Sequence, residues 1–232
     1  MPKIKAKVGS KNKLKRFKEN EKFENVIQPE REEIINKDYF LRGKWASQFF
    51  KNKNPLILEL GCGKGEYTVE LAKRHPEFNF LGIDIKGARF WRGAKTATEE
   101  NIPNAKFLRA QIELVDLLFA PDEVSEIWIT FPDPQIKFQR TKHRMTNPEF
   151  LKKYHRILKP DGIIHLKTDS EFMHGYTLGL IQGSNHELLY AHHDIYNNNE
   201  IASELVEIQT FYEKQYLEKN KAITYTKFRL NF

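Results

Sequence analysis

The sequence predicts an α/β domain on a mostly parallel sheet, and three observations predict it. Short apolar runs alternate with stretches of helical periodicity from Pro55 onward, one such run ends in three alternating glycines before a helix, and a carboxylate closes the next. A length of 232 residues suits one such domain, and 40% hydrophobic with 30% charged residues suffices for a core. That balance excludes collagen-like, coiled-coil and fully disordered chains.

In chain order, Asp38 is placed to cap a helix carrying Phe40, Leu41, Trp45 and Phe49. Strand then helix follow at Leu56–Leu60 and Glu66–His75, and again at Phe78–Ile83 and Lys86–Asn101. Lys106–Arg109 reads as a third strand, Leu114 and Leu118 mark a helix, and Glu126–Phe131 is a fourth, strongly apolar strand. Asn147-Pro148-Glu149 supplies an N-cap, a first-turn proline and an early acid, ahead of the stripe Phe150, Leu151, Tyr154, Ile157 and Leu158. Lys159-Pro160-Asp161-Gly162 reads as a turn into the strand Ile163–Lys167, after which Ser170 can cap the next helix. Ile201, Leu205, Ile208 and Tyr212 recur at helical spacing before a strand-like run from Ile223 to Leu230. Seven strands are expected in all.

The formal net charge of +7 is unevenly placed. Residues 1–22 hold nine Lys and Arg against Glu19 and Glu21, and residues 135–160 hold eight against Glu149 alone. Each segment therefore sums to +7, and the rest of the chain is acidic. A localised cationic surface suits a polyanion such as nucleic acid. The second segment has apolar anchors in Phe138 and Met145, with Pro134 immediately before it, unlike a bare solvated tail. Residues 1–34 are read as a basic, flexible arm and residues 35–232 as the folded domain. The lone Cys62 excludes an internal disulfide framework, and no apolar run is long enough to span a membrane, so a cytoplasmic protein is expected. His143, His155, His165, His192 and His193 follow no metal-ligand spacing, so no metal is expected.

The most informative stretch is Leu56–Glu66. Glycines at 61, 63 and 65 permit positive φ and close backbone approach, and the following helix offers free N–H groups. Their G-x-G-x-G spacing departs from both the dinucleotide fingerprint and the phosphate loop. Asp84 ends the next strand, 23 residues after Gly61, where a carboxylate accepts both ribose hydroxyls, although capping the helix at Lys86 is an equal reading in isolation. Gln111, after the third strand, can accept from an adenine amino group and donate to a ring nitrogen. An adenosine cofactor follows.

Glu59 with the glycine loop, Asp84, Phe131-Pro132-Asp133-Pro134 with Lys137 and the basic segment, Lys167-Thr168-Asp169, and Thr210-Phe211-Tyr212-Glu213 together resemble the bacterial tRNA (guanine-N7-)-methyltransferase family from about residue 35 onward. The resemblance implies a Rossmann-like class I S-adenosylmethionine methyltransferase, with a seven-stranded, mostly parallel sheet and helices on both faces. It implies S-adenosyl-L-methionine at Glu59, Gly61, Gly63, Gly65, Asp84, Gln111 and Asp133, with Asp133 also catalytic. It places the substrate guanosine against Lys137, Asp169, Thr210, Phe211, Tyr212 and Glu213, and the tRNA on Gln139, Arg140, Thr141, Lys142, His143 and Arg144. The partner is then tRNA, with no membrane, and the protein a monomer or homodimer. Two positions depart from the family: Gln135-Ile136 stand where Trp-Pro is common, so any aromatic wall that pair supplies is either missing or replaced, with Phe138 as the candidate, and Gln111 stands where an acid is usual. The alternatives are the same fold with a non-RNA acceptor, a non-catalytic RNA-binding protein and, more distantly because of the glycine spacing, a nicotinamide dehydrogenase.

Overall fold

The computed structural model describes residues 8–36, 38–198 and 200–232, with side chains from residue 12. The elements run α1 (Val8–Asn20), β1 (Val26–Ile27), α2 (Arg31–Ile35), β2 (Leu56–Leu60), α3 (Glu66–Arg74), β3 (Asn79–Ile83), α4 (Gly87–Glu99), β4 (Ala105–Leu108), α5 (Val115–Leu118) and β5 (Val124–Thr130). They continue α6 (Pro148–Ile157), β6 (Leu158–Thr168), α7 (Glu171–Gly183), β7 (Glu187–His192), α8 (Ser203–Glu207), α9 (Phe211–Leu217) and β8 (Thr224–Arg229).

One sheet joins all the strands in the order β1-β4-β3-β2-β5-β6-β8-β7, parallel from β1 to β6 and antiparallel where β8 inserts between β6 and β7. Eight strands replace the seven expected, because Val26 and Ile27 pair with Phe107 and Leu108 at the edge. Residues 8–34, assigned by sequence to an arm, thus contribute α1, β1 and most of α2, and the Asn20 amide donates to the Gly87 carbonyl at 2.9 Å. Lys3, Lys5 and Lys7 lie outside the described residues.

The order reverses between β2 and β5, so a crevice opens at their carboxyl ends. Register makes that rim level: Leu60 pairs with Ile83 and Ile129, Ile83 with Leu108, and Thr130 with Lys167. The residues that follow each strand therefore emerge side by side.

One face of the sheet buries Trp45, Phe119, Tyr154 and Leu166; the other buries Tyr67, Phe90, Phe107 and Trp128. The helix expected from Asp38 is replaced by turns and one wide helical turn, Trp45–Phe50. Its opening N–H groups are taken from across the fold, by Glu123 accepting from Gly43 at 2.8 Å and Trp45 at 3.1 Å. Asn147 caps α6 by accepting from Glu149 and Phe150, and Ser170 caps α7 by accepting from Met173. Lys159–Gly162 bulges within β6, since Val124 pairs with Leu158 but Glu126 with Ile163. The single periodicity read through Ile201–Tyr212 is two short helices, broken where Thr210 caps α9.

Candidate active site at the carboxyl rim

Gly61, Gly63 and Gly65 have φ of +77°, +56° and +75°. The loop is strapped to β3 by bonds from the N–H groups of Gly61 and Cys62 to the Ile83 carbonyl, and from that of Gly63 to Asp84 Oδ2 at 3.1 Å. Asp84 Oδ1 takes the Lys86 N–H at 2.7 Å in a local turn ahead of α4, whose N-cap is Lys86 with no side-chain bond, so this buried carboxylate does not cap the helix and retains lone pairs for a ligand.

Gly61, Asp84, Gln111 and Asp133 line one cavity of about 410 Å3, with Ile112, Gln135, Arg140, His143 and Met145. A Cβ on Gly61 would point toward Met145 Sδ, 3.8 Å away, and Ile112. The volume is that of a small-molecule site. Arg31 donates through Nε to Gln111 Oε1 at 3.2 Å, which directs the amide oxygen at the N-terminal segment. A second, more open cavity of about 930 Å3 is bordered by Phe131, Asp133, Pro134, Ile136, Asp169 and Tyr212. Asp133 lines both, and so stands between them.

The turn carrying Asp133 is strained at both ends: Phe131 has φ +48° and Gln135 φ +48°. Proline geometry alone predicts an extended Phe131. Its N–H bond to the Lys167 carbonyl, at 2.8 Å, anchors this exceptional conformation. Asp133 Oδ1 accepts from the Gln135 N–H at 3.2 Å, holding the side chain over its own turn.

Other expected site residues are placed differently. Glu59 is 4% exposed and faces inward, accepting from the Thr68 N–H at 2.8 Å, from the Thr68 hydroxyl and from Thr130 Oγ1 at 2.7 Å. Burial pushes its pKa up to about 7 against those hydrogen bonds. It braces the start of α3 against β5 and does not face the ligand cavity. Gly65 is a packing residue, since a Cβ there would lie 2.5 Å from Phe107 Cε1. Lys137 lines neither cavity and caps the 3-10 turn Phe138–His143.

Within Thr210–Glu213, only Tyr212 borders the open cavity. Thr210 and Glu213 form a buried capping box, and the Phe211 N–H donates to Glu66 Oε2 at 3.0 Å. Asp169 lines the open cavity and pairs with Lys221 Nζ at 2.7 Å.

In the basic turn, Gln139, Arg140, Lys142 and His143 are exposed and Thr141 is half-buried. Arg144 is buried instead, donating to the carbonyls of Gln135 and Ile136, both at 3.2 Å, with its guanidinium over Phe172 and Tyr176. Phe138 lines neither cavity, so it is no wall for the substrate pocket. Arg31, Arg89, Tyr216 and Lys221 were not anticipated. Tyr216 lies one helical turn beyond Tyr212, a signal that periodicity carried. The others arrive from separate segments, and no local pattern points to them.

Among the described residues no cluster of three or more His, Cys, Asp or Glu side chains could hold a metal, and no helix is long and apolar enough to cross a membrane.

Known proteins agree with this architecture. A family model described as "Putative methyltransferase" matches residues 53–226. The chain is 68% identical to the tRNA (guanine-N(7)-)-methyltransferase of Christiangramia forsetii, over 96% of this chain and 100% of that one. It is 42% identical to the protein of the same name from Bacteroides thetaiotaomicron, over 95% of this chain and 86% of the relative. The solved 16S rRNA methyltransferase KamB is similar in fold alone, with a TM-score of 0.61 at 13% identity over 80% of this chain and 92% of that one. With the glycine loop, Asp84 and the Asp133 turn on one rim, and with relatives this similar over nearly its whole length, the chain belongs to the bacterial tRNA (guanine-N(7)-)-methyltransferase family.

Proposed function

We propose that this chain transfers a methyl group from S-adenosylmethionine to N7 of a guanine in tRNA. The observation that carries the reading is Asp133 between two cavities, one bounded by the glycine loop and Asp84, the other open to solvent. The first cavity fits the cofactor: its volume is adequate, Asp84 has lone pairs for ribose hydroxyls, Gln111 is at hand for adenine, and Gly61 leaves the room a Cβ would fill. When bound, S-adenosylmethionine supplies an electrophilic methyl on a sulfonium.

Guanine N7 carries an in-plane lone pair and no proton, so the acceptor needs no general base. Placement then does most of the work, and well-oriented reactions gain on the order of 7–11 kcal/mol from it. Asp133 and Asp169, both on the open cavity, can accept from the guanine N1–H and amino edge and offset the positive charge that the base acquires. Tyr212 and Tyr216 offer ring surface to the base. Gln139, Thr141 and Lys142, which line neither cavity, meet the RNA backbone, with Arg140 and His143 exposed beside them at the edge of the cofactor cavity. N7 is hidden in the deep groove of an RNA duplex, so the target guanine lies in a loop or is exposed by local rearrangement.

The test is incubation of the purified chain with bulk tRNA and methyl-labelled S-adenosylmethionine, followed by nucleoside mass analysis. N7-methylguanosine is expected. Unlabelled tRNA, or label in another nucleoside, overturns the reading.

A further inference from the structure

Phe138 is 89% exposed, on a turn that is otherwise tightly built. The Thr141 hydroxyl donates to the Phe138 carbonyl at 2.7 Å, and the Arg140 N–H to the Lys137 carbonyl at 2.9 Å. Asn147 Nδ2 donates to the carbonyls of Lys142 and Arg144, each at 2.9 Å, while Arg144 clamps those of Gln135 and Ile136. The backbone is thus pinned from within, while among the described residues the Phe138 ring stacks on no other ring. A lone exposed apolar residue is ordinary. An aromatic held out on a pinned turn is different, because its ordering has already been achieved before a partner arrives.

The surroundings identify that partner. Residues 135–144 contain no acid and expose Lys137, Arg140 and Lys142, which suits a polyanion better than an apolar protein pocket. Ile136, two residues earlier, borders the open cavity, so Phe138 is within about 7 Å of chain from it. A guanine drawn into that cavity leaves its neighbour without a stacking partner, and an aromatic face replaces it irrespective of sequence.

We propose that Phe138 stacks on a base of the bound tRNA next to the guanine being methylated. This rests on the basic turn facing the RNA, and the experiment separates the two. Phe138→Ala, Phe138→Trp and Lys142→Ala are compared with the unaltered protein for binding of tRNA and of S-adenosylhomocysteine. Phe138→Ala is expected to weaken tRNA binding roughly 5- to 100-fold, with unchanged salt dependence and unchanged S-adenosylhomocysteine affinity. Phe138→Trp should keep tRNA affinity, and its added emission should be quenched by tRNA but not by polyphosphate, which has charge and no bases. Unchanged tRNA affinity in Phe138→Ala, or equal quenching by polyphosphate, overturns the stacking. If Lys142→Ala alone weakens binding, only the stacking falls; if neither variant does, the RNA-facing role of the turn falls with it.

Discussion

Lys167 and Glu213 form an ion pair in which Nζ lies 2.7 Å from Oε1 and neither side chain is exposed. Lys167 also donates to the carbonyls of Leu205 at 2.5 Å and Ile208 at 3.1 Å, so each ammonium hydrogen has an acceptor. Glu213 accepts in addition from the Tyr196 hydroxyl at 2.9 Å. Burial pushes the Lys167 pKa down and that of Glu213 up, and each charge opposes the shift in the other. One strand end thereby holds the segment that carries Tyr212 to the open cavity.

Removing one partner strands the other in the core. Lys167→Met or Glu213→Leu should each cost about 3–5 kcal/mol in denaturant unfolding, and the double variant should cost less than the two combined. Additive losses would show that the two charges do not interact.

Glu59 gives the protein a definite pH dependence. Its folded pKa of about 7 lies above the unfolded value near 4.5, so between these the folded state holds the extra proton and stability falls as pH rises. The full effect is on the order of 3 kcal/mol, gone below about pH 4.5 and complete above about pH 7. Melting curves from pH 5 to 8 should show Glu59→Gln losing less stability than the unaltered protein. Parallel curves would contradict the shift.

Asp133→Ala removes an exposed side chain, so the melting temperature should hold. Turnover should fall about 100-fold or more if the carboxylate stabilises charge on the base. Single-turnover methylation with full activity would remove Asp133 from the reaction.

Gly61 and Gly65 should separate ligand binding from folding. Alanine at Gly65 meets Phe107 at 2.5 Å as well as a φ of +75°, and should cost roughly 2–4 kcal/mol in unfolding. Alanine at Gly61 has the same left-handed strain, at φ +77°, but meets only ordinary contacts, so its unfolding cost should be smaller and S-adenosylhomocysteine affinity by titration calorimetry should fall as well. Equal unfolding costs at the two positions would argue against this division.

Much of the site was legible where chemistry is local. G-x-G-x-G needs positive φ wherever it occurs, and Asp84 and Asp133 follow apolar runs whose ends share a rim in a parallel sheet. Asn147 and Ser170 as caps were readable because a cap bonds within three residues. Glu59, Glu213 and Arg144 lie buried in internal hydrogen bonds that the sequence did not show, for one shared reason. Each is a charged residue inside a functional motif, and its partners, Thr130, Lys167 and the Gln135 carbonyl, are set by strand register and turn closure.

By itself the sequence determined the α/β alternation, the glycine loop, the acids at the strand ends and the two basic segments, because periodicity, allowed φ and charge belong to residues and their near neighbours. Only the tertiary structure decided that β1 adds an eighth strand, that Glu123 caps the Trp45 turn, and that Asp133 divides two cavities while Phe138 stands outside both. Those outcomes depend on groups tens of residues apart meeting at hydrogen-bond distance, and that distance exists only after the sheet has set its register.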